Sequence, residues 1–360
     1  MLETEGDRRW RKCADWPPEC TQFCGWVSAW VISLYHGVIP FPAEYSVLRA
    51  NTCLVEQSSS FARGVKASGG IMRILIAMDG STASEVSIQE AVSRPWPTGS
   101  RFYLITAVDP FFFVPGQGLL AEAQKTTEEH LEENARKLRN AGWETSTSLV
   151  LDSPRHAIST FATEWKADLI VLGSRGHSRI ERMSMGSTAR SVLRRAHCPV
   201  EIARAKRNGC ANNASVMKVL VPTDGSECAE KALRSLTERP WPTGSRFKVI
   251  SCPEFPVLIG NYPFLDPELV AEMMRHSEQQ SGEAANDWTA ALQKNGNTVE
   301  TELTEPTESP AHAILAEADN WKADLVVMGS HGRRGFDRLV LGSVSESVAL
   351  HANCSVEVVR

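Results

Sequence analysis

Two stretches of the sequence decide the fold: Asp168-Leu169-Ile170-Val171-Leu172-Gly173-Ser174-Arg175-Gly176 and Asp324-Leu325-Val326-Val327-Met328-Gly329-Ser330-His331-Gly332. In each, an apolar run typical of a buried strand ends at one glycine, and a second glycine follows after two residues. A third glycine follows after nine intervening residues and precedes a serine, as Gly186-Ser187 and Gly342-Ser343. The spacing predicts a strand, a turn and a helix, and backbone N–H groups freed at such a turn can hold an anion.

The repetition covers most of the chain. The block Arg-Pro-Trp-Pro-Thr-Gly-Ser-Arg-Phe occurs at residues 94–102 and 239–247, an offset of 145, whereas the stretches quoted above are offset by 156. The second copy therefore carries about eleven extra residues, which its prolines and glycine place between Cys252 and Pro267. A repeat of about 150 residues is domain-sized, so the sequence predicts a duplication. We expect one domain at 71–206, a linker at 207–216 and a second domain at 217–360.

Residues 1–70 belong to neither copy. Their apolar stretch from Cys24 to Phe41 is interrupted by polar residues, glycine and proline, which argues against a membrane-spanning helix. The basic residues near the start are not followed by a signal-peptide cleavage site. Two interpretations stay open: a poorly ordered, irregular extension, or a start codon assigned too early, with Met72 opening the first domain.

Composition narrows the class of protein. With 360 residues and 42% hydrophobic content, the chain can bury more than one core. A net charge of -5 and a pI near 6.0 argue against broad contact with nucleic acid or an anionic membrane. Nine cysteines without a CxxC pair indicate reduced thiols and a cytoplasmic protein.

Strand and helix patterns alternate along both copies, which predicts an α/β fold with a parallel sheet covered by helices on both faces. Strands are predicted at residues 73–78, 101–108, 144–150, 168–173 and 199–203 in the first copy, and at 218–222, 246–251, 298–303, 324–328 and 355–359 in the second. In such sheets a ligand lies beyond the carboxyl ends of the strands, where the strand order switches. The glycine turns and an Asp-Gly-Ser turn after each first strand fall at that edge.

Other phosphate-binding motifs are absent. A P-loop needs lysine before serine or threonine, but Gly186 and Gly342 run directly into serine. A dinucleotide site needs G-x-G-x-x-G after the first strand, where the chain reads Asp79-Gly80-Ser81. The glycines and serines also have a purely structural interpretation, as turn residues and helix caps.

Paired acidic and basic residues leave alternatives open. Asp79 and Asp224 either cap the following helix or lie beside a nucleoside or a phosphate-bound magnesium ion. His156 and His312 recur at the start of a helix and are interpreted as partly exposed rather than catalytic.

Further repeated residues have structural interpretations. Arg182 and Arg338 recur with the acidic residues Glu181 and Asp337, which favours solvated ion pairs over phosphate screening. The nine-residue block at 94–102 and 239–247 is predicted to stop a helix and to form a hydrophobic lid on the sheet.

Taken together, these residues resemble the universal stress protein family in its tandem form, over residues 72–204 and 217–360. The Gly-x2-Gly-x9-Gly-Ser signature is the mark of the ATP-binding branch of that family. The resemblance implies two flavodoxin-like (adenine nucleotide alpha hydrolase-like) domains, each a sheet of five parallel strands, that bind ATP with or without Mg²⁺. It does not imply a catalysed reaction.

The resemblance also implies a set of ligand-binding residues. Phosphates would contact Gly173, Gly176, Gly186, Ser187 and Thr188 in the first copy, and Gly329, Gly332, Gly342, Ser343 and Val344 in the second. Adenine and ribose would lie near Asp79 and Val108, and near Pro222, Thr223 and Asp224, and the two aspartates would hold any magnesium. The second copy follows the family pattern more closely, because Ala77-Met78 replaces Pro-Thr and Arg179 replaces Gly335 in the first.

The closing strands alternate as Val200-Glu201-Ile202 and Val356-Glu357-Val358, so we expect the copies to pair there as an intramolecular pseudo-dimer with both glutamates on the wetter face. A homodimer of whole chains is left open, and neither nucleic acid nor membrane is expected as a partner. The first hypothesis for function is a cytoplasmic, ATP-dependent regulator of the stress response. The alternatives are a slow ATPase or self-phosphorylating enzyme, and an interaction module that binds no nucleotide.

Overall fold

A computed structural model of the chain describes residues 70–112, 119–176, 185–205, 216–253, 266–305, 307, 309–333 and 341–360. Several sequence-based expectations therefore lie outside the described residues: the extension up to residue 69, the linker from 207 to 215, most of the extra segment of the second copy, and Arg179, Glu181, Arg182, Gly335, Asp337 and Arg338.

In the described residues, each copy contains five strands, close to where the apolar runs predicted them. They are β1 (Arg73–Ala77), β2 (Arg101–Val108), β3 (Glu144–Leu151), β4 (Leu169–Gly173) and β5 (Val200–Ala203), followed by β6 (Lys218–Thr223), β7 (Arg246–Ser251), β8 (Thr298–Leu303), β9 (Leu325–Gly329) and β10 (Ser355–Val359). The central strands are buried on both faces, which explains why they read as continuous apolar runs.

Helices connect the strands: α1 (Thr82–Ser93), α2 (Leu119–Asn140), α3 (Pro154–Glu164), α4 (Ser187–Arg195), α5 (Glu227–Glu238), α6 (Pro267–Lys294), α7 (Pro310–Trp321) and α8 (Ser343–His351). Their first residues follow from local chemistry. The side chains of Ser81 and Ser226 accept hydrogen bonds from backbone N–H groups in the first turns of α1 and α5, and α3, α6 and α7 begin with proline. None of the helices in the described ranges is both long enough and apolar enough to cross a bilayer.

All ten strands form one sheet in the order β3-β2-β1-β4-β5-β10-β9-β6-β7-β8. Within each copy every neighbouring pair is parallel. The predicted α/β fold, with five parallel strands in each copy, is therefore confirmed, and the two sets of five strands join into a single sheet. In each copy the second and third strands lie on one side of the first strand, and the fourth and fifth lie on the other side. The strand order therefore switches between β1 and β4 and between β6 and β9, and such switch points open a crevice for ligands.

The copies meet where β5 pairs with β10 antiparallel, in a register that places Glu201 opposite Glu357. Both glutamates are fully buried, so the expectation that they lie on a wetter face is wrong. α1 packs on β5 and α5 packs on β10, which removes this face of the junction from water. Arg94 and Arg239, at the ends of α1 and α5, each bind one glutamate through two hydrogen bonds of 2.7–2.9 Å.

The apolar core lies on both faces of the sheet. On the face covered by α3, α4, α7 and α8, one cluster of buried side chains continues across both copies. On the other face each copy has its own cluster, under α1 and α2 or under α5 and α6. The predicted hydrophobic lid belongs to these separate clusters, where Trp96 meets Phe102 edge to face at 5.7 Å and Trp241 meets Phe247 at 5.5 Å.

Candidate functional site

The first glycine of each signature ends β4 or β9 and allows a helix to pack closely against the strand end. A Cβ atom on Gly173 would lie 2.6 Å from the backbone carbonyl of Ala83, and one on Gly329 would lie 2.7 Å from the carbonyl carbon of Cys228. Backbone atoms cannot move aside as a flexible side chain can. These glycines therefore hold the first turns of α1 and α5 against the edge of the sheet where the switch point lies.

The second glycine of each signature allows a carboxylate to reach the loop. A Cβ atom on Gly332 would lie 2.7 Å from Oδ2 of Asp224, and one on Gly176 would overlap Oδ2 of Asp79. In the second copy that oxygen also accepts a hydrogen bond of 3.0 Å from the backbone N–H of Arg333. The turn after the first strand and the loop after the fourth strand are thus connected through one aspartate.

The same aspartates also shape their own turns. Oδ1 of Asp79 accepts hydrogen bonds from the N–H and the hydroxyl of Ser81, at 3.0 and 2.6 Å, and Oδ1 of Asp224 accepts one from the N–H of Ser226 at 3.0 Å. The alternative in which the aspartates cap the helices is wrong, because the N-caps are Ser81 and Ser226. The Asp224 carboxylate accepts hydrogen bonds from the N–H groups of Ser226 and Arg333, and an ionised carboxylate has about four lone-pair sites, so it can accept from a further donor or bind a cation.

The third glycines, Gly186 and Gly342, are the N-caps of α4 and α8, and neither helix has a side chain that accepts its first N–H groups. Both glycines donate a hydrogen bond of 2.9 Å to a loop carbonyl, that of Ser174 or Ser330. The first turns of α4 and α8 are therefore held beside the loops, and no capping side chain occupies the backbone N–H groups of these turns. Such an end carries a partial positive charge that favours an anion by about 0.3–1 kcal/mol.

A cavity lies at each switch point, and its walls contain nearly all of the residues that the sequence pointed to. The cavity of the second copy, which we call the β6/β9 cavity, has a volume of about 530 Å³ and that of the first copy, the β1/β4 cavity, about 270 Å³. Predicted residues in the β6/β9 cavity are Pro222, Thr223, Asp224, Gly329, Gly332, Gly342, Ser343 and Val344. Those in the β1/β4 cavity are Asp79, Gly173, Gly176, Gly186, Ser187 and Thr188.

One predicted ligand-binding residue, Val108, lies elsewhere. Val108 does not line the β1/β4 cavity; the β2 side chains that do are Ile105 and Ala107. The side chain of Val108 points to the face of the sheet opposite to those of Ile105 and Ala107, because successive residues of a strand alternate between the two faces. His156 and His312 are exposed on α3 and α7, and His156 pairs with Asp152.

The β6/β9 cavity is larger because its two central strands separate earlier. β1 and β4 are paired over four residue pairs up to Ala77 and Leu172, whereas β6 and β9 are paired only at Val219–Leu325 and Leu220–Val326. Pro222 lies in the part of β6 that is not paired with β9, and proline has no N–H group to donate to a strand ladder. A volume of about 530 Å³ is within the roughly 300–1,000 Å³ typical of ligand pockets, while the β1/β4 cavity is just below that range.

Several residues of the β6/β9 cavity were missed from the sequence. α6 contributes Ser277 and Ser281, and the loop after β9 contributes His331 and Arg333. The Arg333 guanidinium donates to the backbone carbonyl of Asp224 and, at 2.9 Å, to Oε1 of Gln280 on α6. Arg333 thereby ties three elements of the cavity wall together. The recurring glycines gave no signal for these contacts, which depend on how α6 lies across the loops.

The ionisable groups of the β6/β9 cavity are suited to binding rather than to nucleophilic attack. Burial raises the pKa of the Cys252 thiol to about 11, so it carries little thiolate at neutral pH. Burial and the nearby Arg360 lower the pKa of His331 below its usual range, which keeps its imidazole neutral. Within the described residues, no group of three His, Cys, Asp or Glu side chains is arranged to hold a metal ion.

Comparison with known proteins matches two segments, residues 70–204 and 216–360, to the Universal stress protein family. A universal stress protein of Mycolicibacterium smegmatis is 27% identical over 299 residues, 80% of this chain and 96% of its own length. One from Mycobacterium tuberculosis is 28% identical over 300 residues, with the same two shares.

Solved structures show the same fold. The crystal structure of a universal stress protein from Archaeoglobus fulgidus superposes with a TM-score of 0.56 at 22% identity, covering 80% of this chain and 98% of that one. Since the family match spans both copies and most of the chain, this protein belongs to the universal stress protein family.

Proposed function

We propose that the chain binds ATP, first of all in the β6/β9 cavity, and acts as a nucleotide-dependent regulator in a cytoplasmic stress response. The observation that carries this proposal is the β6/β9 cavity itself. There the uncapped start of α8, the loop glycine Gly332 and the Asp224 carboxylate meet above an apolar floor at the switch point of the sheet.

Each part of the cavity matches a different part of a nucleotide. Ile250, Ile314 and Met328 form an apolar floor suited to a purine ring. The N–H groups at the start of α8 and the Ser343 hydroxyl supply donors for phosphates. Asp224 can accept hydrogen bonds from ribose hydroxyls or share a magnesium ion with the phosphates.

The β1/β4 cavity is proposed as a weaker site. It has the same arrangement of aspartate, loop glycine and uncapped helix, but about half the volume. We therefore expect one strongly bound ATP per chain and a second that binds with lower affinity or not at all.

Turnover of ATP is the competing proposal, and Asp224 is the residue that favours it. Its carboxylate could position a magnesium ion on the phosphates, but among the described lining residues Cys252 is a protonated thiol and His331 a neutral imidazole, and neither is suited to assist the chemistry. We expect phosphate release by the purified chain to remain at the level of spontaneous hydrolysis. Release that Asp224→Asn abolishes would instead support an ATPase.

The decisive experiment is isothermal titration of the full chain with ATP, with and without Mg²⁺, alongside mass spectrometry of any nucleotide that copurifies. Gly332→Ala should weaken ATP binding by at least about tenfold, because the added Cβ displaces Asp224 from the loop. Gly282→Ala is the matched control, since its Cβ would meet nothing closer than 3.9 Å. Absence of ATP binding to the unmodified chain would overturn the proposal.

A further inference from the structure

A third cavity lies between the two copies, next to the β6/β9 cavity; we call it the junction cavity. Its volume is about 390 Å³. The first copy contributes the end of α4 and the residues after it, and the second contributes α5, the loop after β9 and the last residue of the sequence. The lining residues are Arg194, Arg195, Ala196, His197, Cys228, Lys231, Ser330, His331 and Arg360.

The lining carries an excess of positive charge. It includes four arginine and lysine side chains and no acidic side chain, and of its two histidines His331 is neutral. Arg194 and Lys231 pair with Glu346 and Glu227, which lie outside the lining. Arg195 and His197 are exposed and form no ion pair within the described part of the chain.

One buried side-chain nitrogen in the wall of the junction cavity also has no hydrogen-bond partner among the described residues. Nδ1 of His331 is 2.9 Å from the Ser330 hydroxyl, whereas its Nε2 is shielded from solvent and has no hydrogen-bond partner among the described residues. A buried polar atom without a partner is unusual, and an unseen ligand or water is one of its common explanations. His331 lines both the junction cavity and the β6/β9 cavity, so this atom lies in a wall that the two share.

The internal repeat shows which of these basic residues the fold uses on both sides of the junction. Arg360 corresponds to Arg204, and each guanidinium donates to a backbone carbonyl of the other copy, that of Leu193 or Ala349, so Arg360 also has a structural role. Arg195 and His331 correspond to the basic residues His351 and Arg175. Arg194, His197 and Lys231, in contrast, correspond to Leu350, Asn353 and Val86, so the fold does not require a basic residue at these three positions.

We propose that the junction cavity binds a small anion bearing one or more phosphate groups. Arg195 and His197 attract the anion at the exposed side, and the inner wall offers the Arg360 guanidinium and the His331 imidazole. A volume of about 390 Å³ is in the range of small-molecule pockets and is far below what a folded partner or a nucleic acid occupies. The junction cavity shares the His331 wall with the β6/β9 cavity but is a different cavity, and the proposed anion site does not depend on ATP binding in the β6/β9 cavity.

The test uses pyrophosphate as the probe and the full chain. Pyrophosphate is titrated into the unmodified protein, the Arg195→Gln/His197→Gln variant and the Gly332→Ala variant, at two salt concentrations. Both replaced side chains of the double variant are exposed, so folding should be retained, and thermal unfolding checks this. Lys125→Gln/Arg136→Gln, with two exposed residues on α2, matches the number of basic side chains removed far from the cavity.

We expect pyrophosphate affinity to fall about tenfold in the double variant, to remain within twofold in the α2 control and in Gly332→Ala, and to weaken with salt. Arg360→Gln provides a second variant, with the same expectation. Loss of pyrophosphate binding in Gly332→Ala but not in the double variant would assign pyrophosphate to the β6/β9 cavity and overturn the proposal. Equal binding by all variants, or none by the unmodified chain, would overturn it as well.

Discussion

Glu201 and Glu357 face each other across the antiparallel β5–β10 pair, fully buried, and each is neutralised by an arginine of its own copy. Like charges directly opposite on neighbouring strands repel, so this register depends on Arg94 and Arg239. The junction between the copies is therefore held by two internal ion pairs as well as by apolar contact. One side has an additional carboxylate, because Glu90 also contacts Arg94, while Ser235 occupies the equivalent position near Glu357.

The first prediction concerns the buried pair of the second copy. Arg239→Met should lower the free energy of unfolding by about 3–5 kcal/mol, because it leaves the Glu357 carboxylate buried without a charged partner. Loss of the contact between Arg239 and the Trp241 ring, at 5.3 Å, adds to the effect. Urea unfolding followed by tryptophan fluorescence measures the change.

The control for that variant is the double replacement Arg239→Met/Glu357→Leu. An apolar pair of similar volume should recover most of the lost stability, since no charge remains buried. Arg101→Met, which breaks an exposed pair with Glu144, should cost no more than about 1 kcal/mol. A single variant as stable as the unmodified protein would mean that the buried pair contributes little to the junction.

The second prediction is a pH dependence that originates at Glu90. Burial raises the pKa of the Glu90 carboxyl above its usual range, with Arg94 opposing the rise and Glu201 adding to it. A carboxyl group that holds its proton more tightly in the folded state destabilises the fold as pH rises from the usual value, about 4.3, to the raised one. Glu90→Gln carries no such proton, so its stability relative to the unmodified chain should increase by about 1 kcal/mol or more between pH 4.5 and pH 8.

Chemical unfolding across that pH range tests the idea, with Glu128→Gln on the exposed face of α2 as the matched control. The control curve should run parallel to that of the unmodified chain. If the Glu90→Gln curve is also parallel, then Glu90 titrates alike in the folded and unfolded states and the junction has no such pH dependence.

Local patterns predicted the strands, the helix starts and the glycine turns, because period, proline, glycine and capping serine act over a few residues. They could not predict the partners of Arg94 and Arg239, which lie 107 and 118 residues away in the chain. The alternation of apolar residues around Glu201 predicted a solvent-exposed face of the sheet. This prediction failed because α1 and α5 cover the junction, which the local sequence does not show. Arg333 and Ser281 were missed in the β6/β9 cavity for the same reason, since α6 and the loop after β9 bring them together from distant positions in the chain.

The third prediction compares equivalent glycines of the two copies. A Cβ atom on Gly342 would lie 3.0 Å from the carbonyl oxygen of Ser330, whereas the nearest atom to a Cβ on Gly186 is at 3.6 Å. Both glycines are N-caps, so the intrinsic cost of alanine at an N-cap is common to both variants. Gly342→Ala should therefore be more destabilising than Gly186→Ala by about 1 kcal/mol, measured by thermal or urea unfolding. Equal losses would show that the loop after β9 relaxes around the added methyl group.

The last prediction uses Cys252 as a reporter of the β6/β9 cavity. The equivalent position of the β1/β4 cavity is Ala107, so alkylation of Cys252 reports on the second copy alone. Because burial raises its pKa to about 11, iodoacetamide should modify Cys252 on the order of tenfold more slowly than an exposed thiol at pH 8. The rate should increase as pH rises toward 11, and saturating ATP should slow it further. Peptide mass spectrometry follows the modification, and Cys252→Ser identifies the peptide. Rapid alkylation at pH 8 that ATP leaves unchanged would contradict both the burial of the thiol and the placing of ATP beside it.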